Sequence, residues 1–454
     1  MHLRSFARRG LGAALVTLAL AACGDDPELI VPEQTDATEG AMFNRYVAIG
    51  NSITAGYQSG GINDSTQQES YARLLEQQFG SPDPYRYARL NMPGCPAPTA
   101  NFLSGARVGN ASGSACALLT DPAGAPLNNV AIPGAAVEDP TAPPEGTQAS
   151  NTLTTLILSG KTQVQRALDA DPTFVTIWIG NNDALQPAAT GILTATPGVS
   201  RGLTDSTTFK AEYNEMLSQL TAENPNLEGA LISVVNTTAI PLLFPVAALF
   251  DPTVRTGFAQ AAGYTSASDI TIHPNCGSGT APANYLVSFA IVPQIRLYRQ
   301  NPSAAGAHPP LISCGNAVGT PAENTSVGQI FMLSPAEQQT LATVVAAYNN
   351  HISTRANELG WAYVDVNPTL LQVKQADVNA ADPRITTIFP RLDIAQASGG
   401  TRSPFGSWFS FDGFHPSRPA HVAIANAVIA AINTKYGTTI AECTLSQQDP
   451  PVCQ

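Results

Sequence analysis

The chain has 454 residues, of which 44% are hydrophobic, so it can bury the core of one large domain or two small ones. Its formal net charge is −12, from 34 acidic and 22 basic residues, which argues against a protein that binds nucleic acid through a basic face. Glycine and proline number 36 each, which predicts many loops between the regular elements.

The first 22 residues are typical of an export signal. Three arginines, at positions 4, 8 and 9, precede an apolar run over 11–20 that is too short to span a membrane comfortably. The run ends in Leu20-Ala21-Ala22-Cys23, which resembles the lipobox of bacterial lipoproteins, where cleavage leaves an acylated cysteine. We therefore expect a signal peptide over 1–22 and lipidation at Cys23. An ordinary export signal cleaved nearby is the alternative.

Residues 23–42 are rich in Asp, Glu, Pro, Thr and Gly, and few of them could enter a core, which predicts a flexible tether. In bacterial lipoproteins, Asp directly after the lipidated cysteine can hold the protein at the inner membrane, whereas Gly24 occupies that place here. The resemblance implies a protein of the bacterial cell envelope, anchored by its N-terminal lipid at the outer membrane.

Short apolar runs then alternate with helical stripes along the chain. We expect strands over 46–49, 130–132, 174–179, 230–235 and 362–366, and helices over 71–79, 151–170, 207–223, 335–359 and 418–435. All-apolar strands between amphipathic helices favour parallel pairing with both sheet faces covered. The pattern predicts an α/β fold: a three-layer α/β/α sandwich with a parallel, flavodoxin-like central sheet, in one domain over 43–440.

Two regions break this alternation, and six cysteines remain once Cys23 is set apart. We interpret residues 91–127 and 236–333 as loop insertions, the larger with some helix near 245–262 and able to act as a subdomain or lid. An even number of cysteines in an exported chain predicts disulfides. Of the 15 possible pairings, neighbours in sequence are the simplest choice: Cys95–Cys116, Cys276–Cys314 and Cys443–Cys453. The last pair belongs to a C-terminal tail over 441–454.

Four short segments carry the candidate chemistry. Ser52, Gly134 and Asn182 each follow a predicted strand closely, and Asp412 and His415 lie in the loop before the last predicted helix. Ligands of open parallel sheets bind beyond the carboxyl ends of the strands, so we expect these segments at one edge. A serine hydroxyl needs a base to become a nucleophile, histidine suits neutral pH, and an aspartate can orient the imidazole.

Each of these residues also has a structural interpretation. Ser52 could simply cap a helix, Gly134 and Asn182 could belong to turns, and Asp412 with His415 could be a surface pair. Only the joint occurrence of all five favours catalysis.

The segments resemble the sequence blocks of the SGNH, or GDSL-like, hydrolase family. In the family's order, over about residues 43–435, stand Gly50-Asn51-Ser52, Gly134, Gly180-Asn181-Asn182-Asp183 and Asp412-x-x-His415. The resemblance implies that Ser52 is the nucleophile and His415 the base, placed by Asp412. It also implies an oxyanion hole from the backbone N–H groups of Ser52 and Gly134 and the Asn182 amide. Two departures are Asn51, where the family usually has Asp, and a chain much longer than simple members.

We therefore predict a serine esterase that cleaves lipid or acetylated carbohydrate esters as a monomer, without a cofactor or a metal ion. The alternative is a non-catalytic envelope lipoprotein that binds glycan or a protein partner. Aromatic residues precede His415, and they could line an acyl pocket or pack beneath the catalytic loop: Phe405, Trp408, Phe409, Phe411 and Phe414.

Overall fold

In the computed structural model, the described residues are 41–111, 116–119, 125–143, 149, 151–195, 200–277, 284–314, 331–371, 401–444 and 453. The predicted signal peptide, Cys23 and nearly all of the tether lie outside them. Within these ranges, no helix combines the length and the apolar character that crossing a membrane requires.

The strands of these ranges are β1 (Tyr46–Gly50), β2 (Phe174–Trp178), β3 (Glu228–Ile232), β4 (Leu243–Pro245), β5 (Thr271–Ile272), β6 (Leu286–Ser288), β7 (Leu311–Ile312), β8 (Met332–Leu333) and β9 (Ala362–Val364). The α-helices are α1 (Ser52–Ala55), α2 (Asp64–Gln68), α3 (Tyr71–Phe79), α4 (Thr152–Leu158), α5 (Gln163–Leu168), α6 (Asn181–Thr190), α7 (Ser206–Glu223), α8 (Pro252–Ala261), α9 (Ile291–Gln300), α10 (Pro335–Leu359) and α11 (Arg418–Tyr436).

The central sheet is parallel, with the order β1-β2-β3-β9. Residues 128–132 run parallel to β1 on its free side, since Ala48 N donates to Asn128 O at 2.7 Å and Ile132 N donates to Gly50 O at 3.0 Å. With this segment counted as the second strand, the order is 2-1-3-4-5, which is flavodoxin-like. The predicted α/β fold and its parallel sheet are confirmed.

Helices cover both faces of the sheet because strand side chains alternate between them. Val47 and Ile49 pack into one buried cluster with α5, α7 and α10. Tyr46 and Trp178 pack into the opposite cluster with α3 and α11. The three-layer arrangement follows from this alternation.

The helix predicted over 151–170 is two helices, so that prediction is wrong. Ser159 ends α4 in the left-handed region at φ 52°, and Thr162 starts α5 with a capping box to Gln165. The sequence contains the signals for this break, because a Ser-Gly pair can end a helix and the following Thr-x-x-Gln can start a new one. Strand β3 also starts two residues before the predicted 230 and ends three residues before the predicted 235.

The cysteines are joined as sequence neighbours: Cys95–Cys116, Cys276–Cys314 and Cys443–Cys453. The described part of the first insertion is mostly loop, as predicted. The larger insertion is more than a loop, because its described residues form α8, α9, an antiparallel sheet β4-β6-β8 and the pair β5-β7. They supply most of one buried cluster, around Phe244, Phe258 and Phe289, which gives this region the character of a subdomain.

Candidate active site

Ser52 begins the short helix α1 directly after β1. The cap of this helix is Asn51, whose Oδ1 accepts a hydrogen bond from Ile53 N at 3.1 Å. The interpretation of Ser52 as a helix cap is therefore wrong. This cap accounts for Asn51 in place of the Asp that the family usually has, because an amide oxygen caps a helix as well as a carboxylate does. The exchange leaves Asn51 Nδ2 buried without a hydrogen-bond partner among the described residues.

His415 lies in a tight loop over residues 410–415, which we call the histidine loop. Its Nδ1 lies 2.8 Å from Asp412 Oδ2, while Asp412 Oδ1 accepts from His415 N at 2.8 Å and from Phe414 N at 3.0 Å. The Asp-x-x-His spacing thus lets one carboxylate fix both the backbone and the ring of the histidine. Gly413 turns the loop at φ +70°, and a Cβ there would lie 3.0 Å from the Phe405 ring.

Asp412 also binds the turn that follows α1. Gly60 N donates to its Oδ2 at 2.8 Å, and Ser410 Oγ donates to its Oδ1 at 3.1 Å. Ser410 Oγ in turn accepts from Ser59 N at 2.8 Å. Burial would raise the pKa of Asp412, but His415 and the hydrogen-bond donors outweigh it and lower the pKa to about 2. The carboxylate is therefore charged at neutral pH, which fixes the Nδ1–H tautomer of His415.

The other ring nitrogen, His415 Nε2, is buried and has no hydrogen-bond partner among the described residues. A neutral imidazole that donates from Nδ1 leaves Nε2 as an acceptor. His415 is thus prepared to take a proton at Nε2.

Gly134 opens the second loop of the site, residues 134–139, which we call the glycine loop. It adopts φ +90°, a conformation that L side chains rarely adopt. Asn182, in the first turn of α6, donates from Nδ2 to Ala135 O at 2.8 Å. This bond orients the amide and leaves the second Nδ2 hydrogen available. The Ser52 N–H, at the first position of α1, has no acceptor within its own helix.

Two buried aspartates hold the glycine loop, and neither was among the predicted site residues. Asp183 Oδ2 accepts from Val137 N at 2.9 Å, and Asp139 Oδ2 accepts from Ala136 N at 2.6 Å. Burial raises the pKa of both, that of Asp183 to about 6. Asp183 carried a signal, because it closes the Gly-x-Asn-Asp block. Nothing in the sequence indicated Asp139, or Ser410 in the histidine loop.

The predicted residues meet at a cavity of about 550 Å³ beyond the carboxyl ends of β1 and β2. Ser52, Gly134, Asn182 and His415 all line it, whereas Asp412 lies behind His415. Its other walls come from the first insertion, α4, α6 and two aromatic residues: Tyr57, Cys95, Pro96, Cys116, Leu153, Leu185, Ala189 and Phe414. One sheet edge therefore brings together all the residues that the sequence selected.

Of the five aromatic residues before His415, Phe414 lines this cavity. Phe405 and Phe409 are buried in the cluster of the larger insertion. Trp408 and Phe409 also face a separate apolar cavity of about 80 Å³ on the other side of Phe414. Packing beneath the loop is therefore the better interpretation for Phe405 and Phe409.

Residues 46–428 match the model of the GDSL-like lipase/acylhydrolase family. The match covers most of the chain and includes every block that carried the resemblance, so the chain belongs to this family and is a hydrolase. Among curated proteins, no relative matches.

One of the solved structures that the chain matches is an extracellular lipase from Streptomyces rimosus. It is 14% identical, with 72% of this chain and 82% of that chain covered and a TM-score of 0.25. The family assignment therefore rests on the matched family model.

Proposed function

We propose that the chain is a serine esterase in which Ser52, His415 and Asp412 form the catalytic triad. The observation that carries the proposal is the 2.8 Å contact from Asp412 Oδ2 to His415 Nδ1, with Nε2 unpaired at the cavity that Ser52 also lines. A base oriented in this way beside a serine is the arrangement that nucleophilic acyl transfer requires.

The reaction proceeds in two halves. Ser52 Oγ attacks the ester carbonyl carbon while His415 Nε2 takes the hydroxyl proton, and the tetrahedral intermediate then releases the alcohol, which receives that proton. Water attacks the acyl-enzyme with His415 again as base, the bond to Ser52 Oγ breaks, and the proton returns to Ser52. Both oxyanions are stabilised by the N–H groups of Ser52 and Gly134 and by the Asn182 amide. Each donor contributes about 3–4 kcal/mol.

The cavity walls favour an uncharged substrate. Among the side chains that line it in the described part of the chain, only His415 and Tyr57 titrate, and burial raises the pKa of Tyr57 to about 12. Apolar groups dominate the rest, including Pro96, Leu153 and Leu185. A neutral ester with an apolar acyl group fits these walls better than an anionic or cationic one. A lipid ester and an acetylated carbohydrate both remain within this class.

A fluorophosphonate probe tests the nucleophile. We expect it to label the folded wild-type chain and not the Ser52→Ala variant, with Ser159→Ala, a serine at the end of α4, as the matched control that labels normally. Equal labelling of Ser52→Ala would refute the proposal. A panel of p-nitrophenyl esters of increasing acyl length, with acetylated xylan beside it, then separates lipid from carbohydrate esters.

We further propose that the protein is an exported monomer, held at the bacterial envelope by lipid on Cys23. The three disulfides support an oxidising compartment. We expect the wild-type chain to fractionate with membranes and the Cys23→Ser variant to do so no longer. Membrane association of Cys23→Ser at the wild-type level would contradict the anchor.

A further inference from the structure

Asp183 is a fully buried carboxylate that the proposed reaction does not use. It is 1% exposed, and both of its oxygens accept hydrogen bonds. Oδ1 accepts from Thr204 Oγ1 at 2.7 Å, and Oδ2 accepts from Val137 N at 2.9 Å. One carboxylate thus connects the segment after α6 to the middle of the glycine loop.

The same loop is fixed at two further points. Asn182, the neighbour of Asp183, donates to Ala135 O at 2.8 Å, and Asp139 Oδ2 accepts from Ala136 N at 2.6 Å. Three consecutive residues after Gly134 are therefore held through their backbone by side chains. Two of these contacts are made by residues 182 and 183, which both lie in the first turn of α6. They therefore fix the position of the glycine loop with respect to the Asn182 amide.

This arrangement is electrostatically costly. Burial and, to a smaller extent, the neighbouring Asp139 raise the pKa of Asp183, while Thr204, Arg201 and Val137 N lower it, and the net pKa is about 6. Arg201 Nη2 lies 3.9 Å from Asp139 Oδ2 and 3.1 Å from Glu138 Oε1. The Tyr348 hydroxyl, whose pKa is raised by burial and then by Asp183, donates to Thr204 O. A buried carboxylate with a raised pKa beside a candidate active site is a candidate for a functional role.

We propose that Asp183 is a positioning residue for the oxyanion hole: by holding Val137 N, it fixes the glycine loop so that Gly134 N and the Asn182 amide converge on the same oxyanion. This inference rests on the proposed esterase function, because it gives the hole its purpose. The hole acts on charge that develops in the transition state, so a loss of convergence lowers kcat and leaves KM nearly unchanged.

The first experiment compares two exchanges at position 183. Asp183→Ala removes the acceptor of Val137 N, and we expect kcat to fall about 100-fold with KM little changed, as for the loss of one oxyanion donor. Asp183→Asn can still accept from Val137 N and donate to Thr204 Oγ1, so it retains most of the activity. The matched control is Asp205→Ala, an exposed aspartate that caps α7. If Asp183→Ala does not fold, Thr204→Val is used in its place. It removes only the second hydrogen-bond partner of the carboxylate, so we expect a smaller loss in kcat.

A double-mutant cycle separates positioning from a general structural role. If Asp183 acts through the oxyanion hole, the losses in Asp183→Ala and Asn182→Ala combine to less than their product. The losses in Asp183→Ala and Ser410→Ala multiply, because Ser410 belongs to the histidine loop. Full multiplication in both cycles would overturn the proposal.

Amide hydrogen exchange gives a readout that needs no activity. We expect the amides of Ala136 and Val137 to exchange about tenfold faster in Asp183→Ala than in the wild type or in Asp205→Ala. Unchanged exchange, or faster exchange with wild-type kcat, would each overturn the proposal. If instead the wild type neither turns over esters nor labels at Ser52, the esterase function fails and the catalytic role of Asp183 fails with it. Exchange then still decides whether Asp183 holds the loop.

Discussion

The histidine loop and the glycine loop both border the cavity that Ser52 lines, and an aspartate holds each of them by accepting backbone N–H bonds. In the histidine loop, Asp412 has five donors, one of them the His415 imidazole, and its pKa is lowered to about 2. Asp183, in α6, has two donors, of which Val137 N belongs to the glycine loop, and burial raises its pKa to about 6. Both carboxylates thus hold a loop through hydrogen bonds, but their pKa values are shifted in opposite directions.

The opposite pKa shifts follow from the groups that each carboxylate binds. In the proposed reaction, the charge of Asp412 stabilises the imidazolium of His415, and many donors keep this carboxylate ionised. Asp183 accepts from one neutral N–H and one neutral hydroxyl, and its charge is compensated less well. We infer that the charge matters for the chemistry of the histidine loop and only the shape matters in the glycine loop. Four predictions test this contrast.

The largest effect is expected for Asp412→Asn. An amide NH₂ facing Nδ1 would force the His415 proton onto Nε2, so the base would point its hydrogen at Ser52. We expect kcat to fall about 10⁴-fold in a folded protein, the loss known for the same exchange in serine proteases. Steady-state kinetics measures this loss, and near-ultraviolet circular dichroism checks that the variant is folded. A fall in kcat of less than about tenfold would show that the charge of Asp412 is not needed for the reaction.

Asn182→Ala tests the side chain that contacts the glycine loop. It deletes the amide donor and the bond to Ala135 O, so we expect kcat to fall about 100- to 1000-fold with KM little changed. The matched control is Asn350→Ala, an exposed asparagine on α10, which should retain wild-type kinetics. A rise in KM without a fall in kcat would assign Asn182 to substrate binding rather than to the oxyanion.

The two carboxylates should affect stability with opposite signs. The folded pKa of Asp183 lies above the unfolded value, so its stabilising contribution is complete below about pH 4 and is lost as pH rises to about 6. The folded pKa of Asp412 lies below the unfolded value, so its contribution is complete above about pH 4 and is lost as pH falls to about 2.

At pH 7.5 we therefore expect Asp183→Asn to stabilise the chain by about 2–3 kcal/mol and Asp412→Asn to destabilise it by a similar amount. At pH 4.5 the gain from Asp183→Asn should have fallen to about a third, while the loss from Asp412→Asn remains. Denaturant unfolding at both pH values measures this, and the same sign for both variants would abolish the contrast.

Ser410→Ala should have the smallest effect. It removes one of the five donors of Asp412 and the acceptor of Ser59 N, so we expect kcat to fall about tenfold. Ser410→Thr keeps the hydroxyl and should restore most of the rate. Ser417→Ala, whose hydroxyl donates to Ser407 O instead, is the control. Equal rates for Ser410→Ala and Ser417→Ala would show that Ser410 has no part in orienting Asp412.

Much of this protein was determined by local sequence. The alternation of apolar strands with amphipathic helices predicted the parallel sheet, because strand burial and helix periodicity are local properties. The helix predicted over 335–359 is α10 itself, whose Ser334 cap and C-terminal Gly360 are local signals. Ser52, Gly134, Asn182, Asp412 and His415 could be selected because each stands at a strand end or in the loop before a helix.

Tertiary structure decided what supports these residues. Ser410 and Ser59 lie 351 positions apart, and Asp183 and Val137 lie 46 apart, so no local pattern could pair them. The larger insertion likewise required a packed core before it could become more than a loop. Local sequence patterns, namely the ends of strands and helices and short spacings, were enough to predict the candidate catalytic residues. The hydrogen bonds that hold these residues form only in the folded chain, because their partners are distant in sequence.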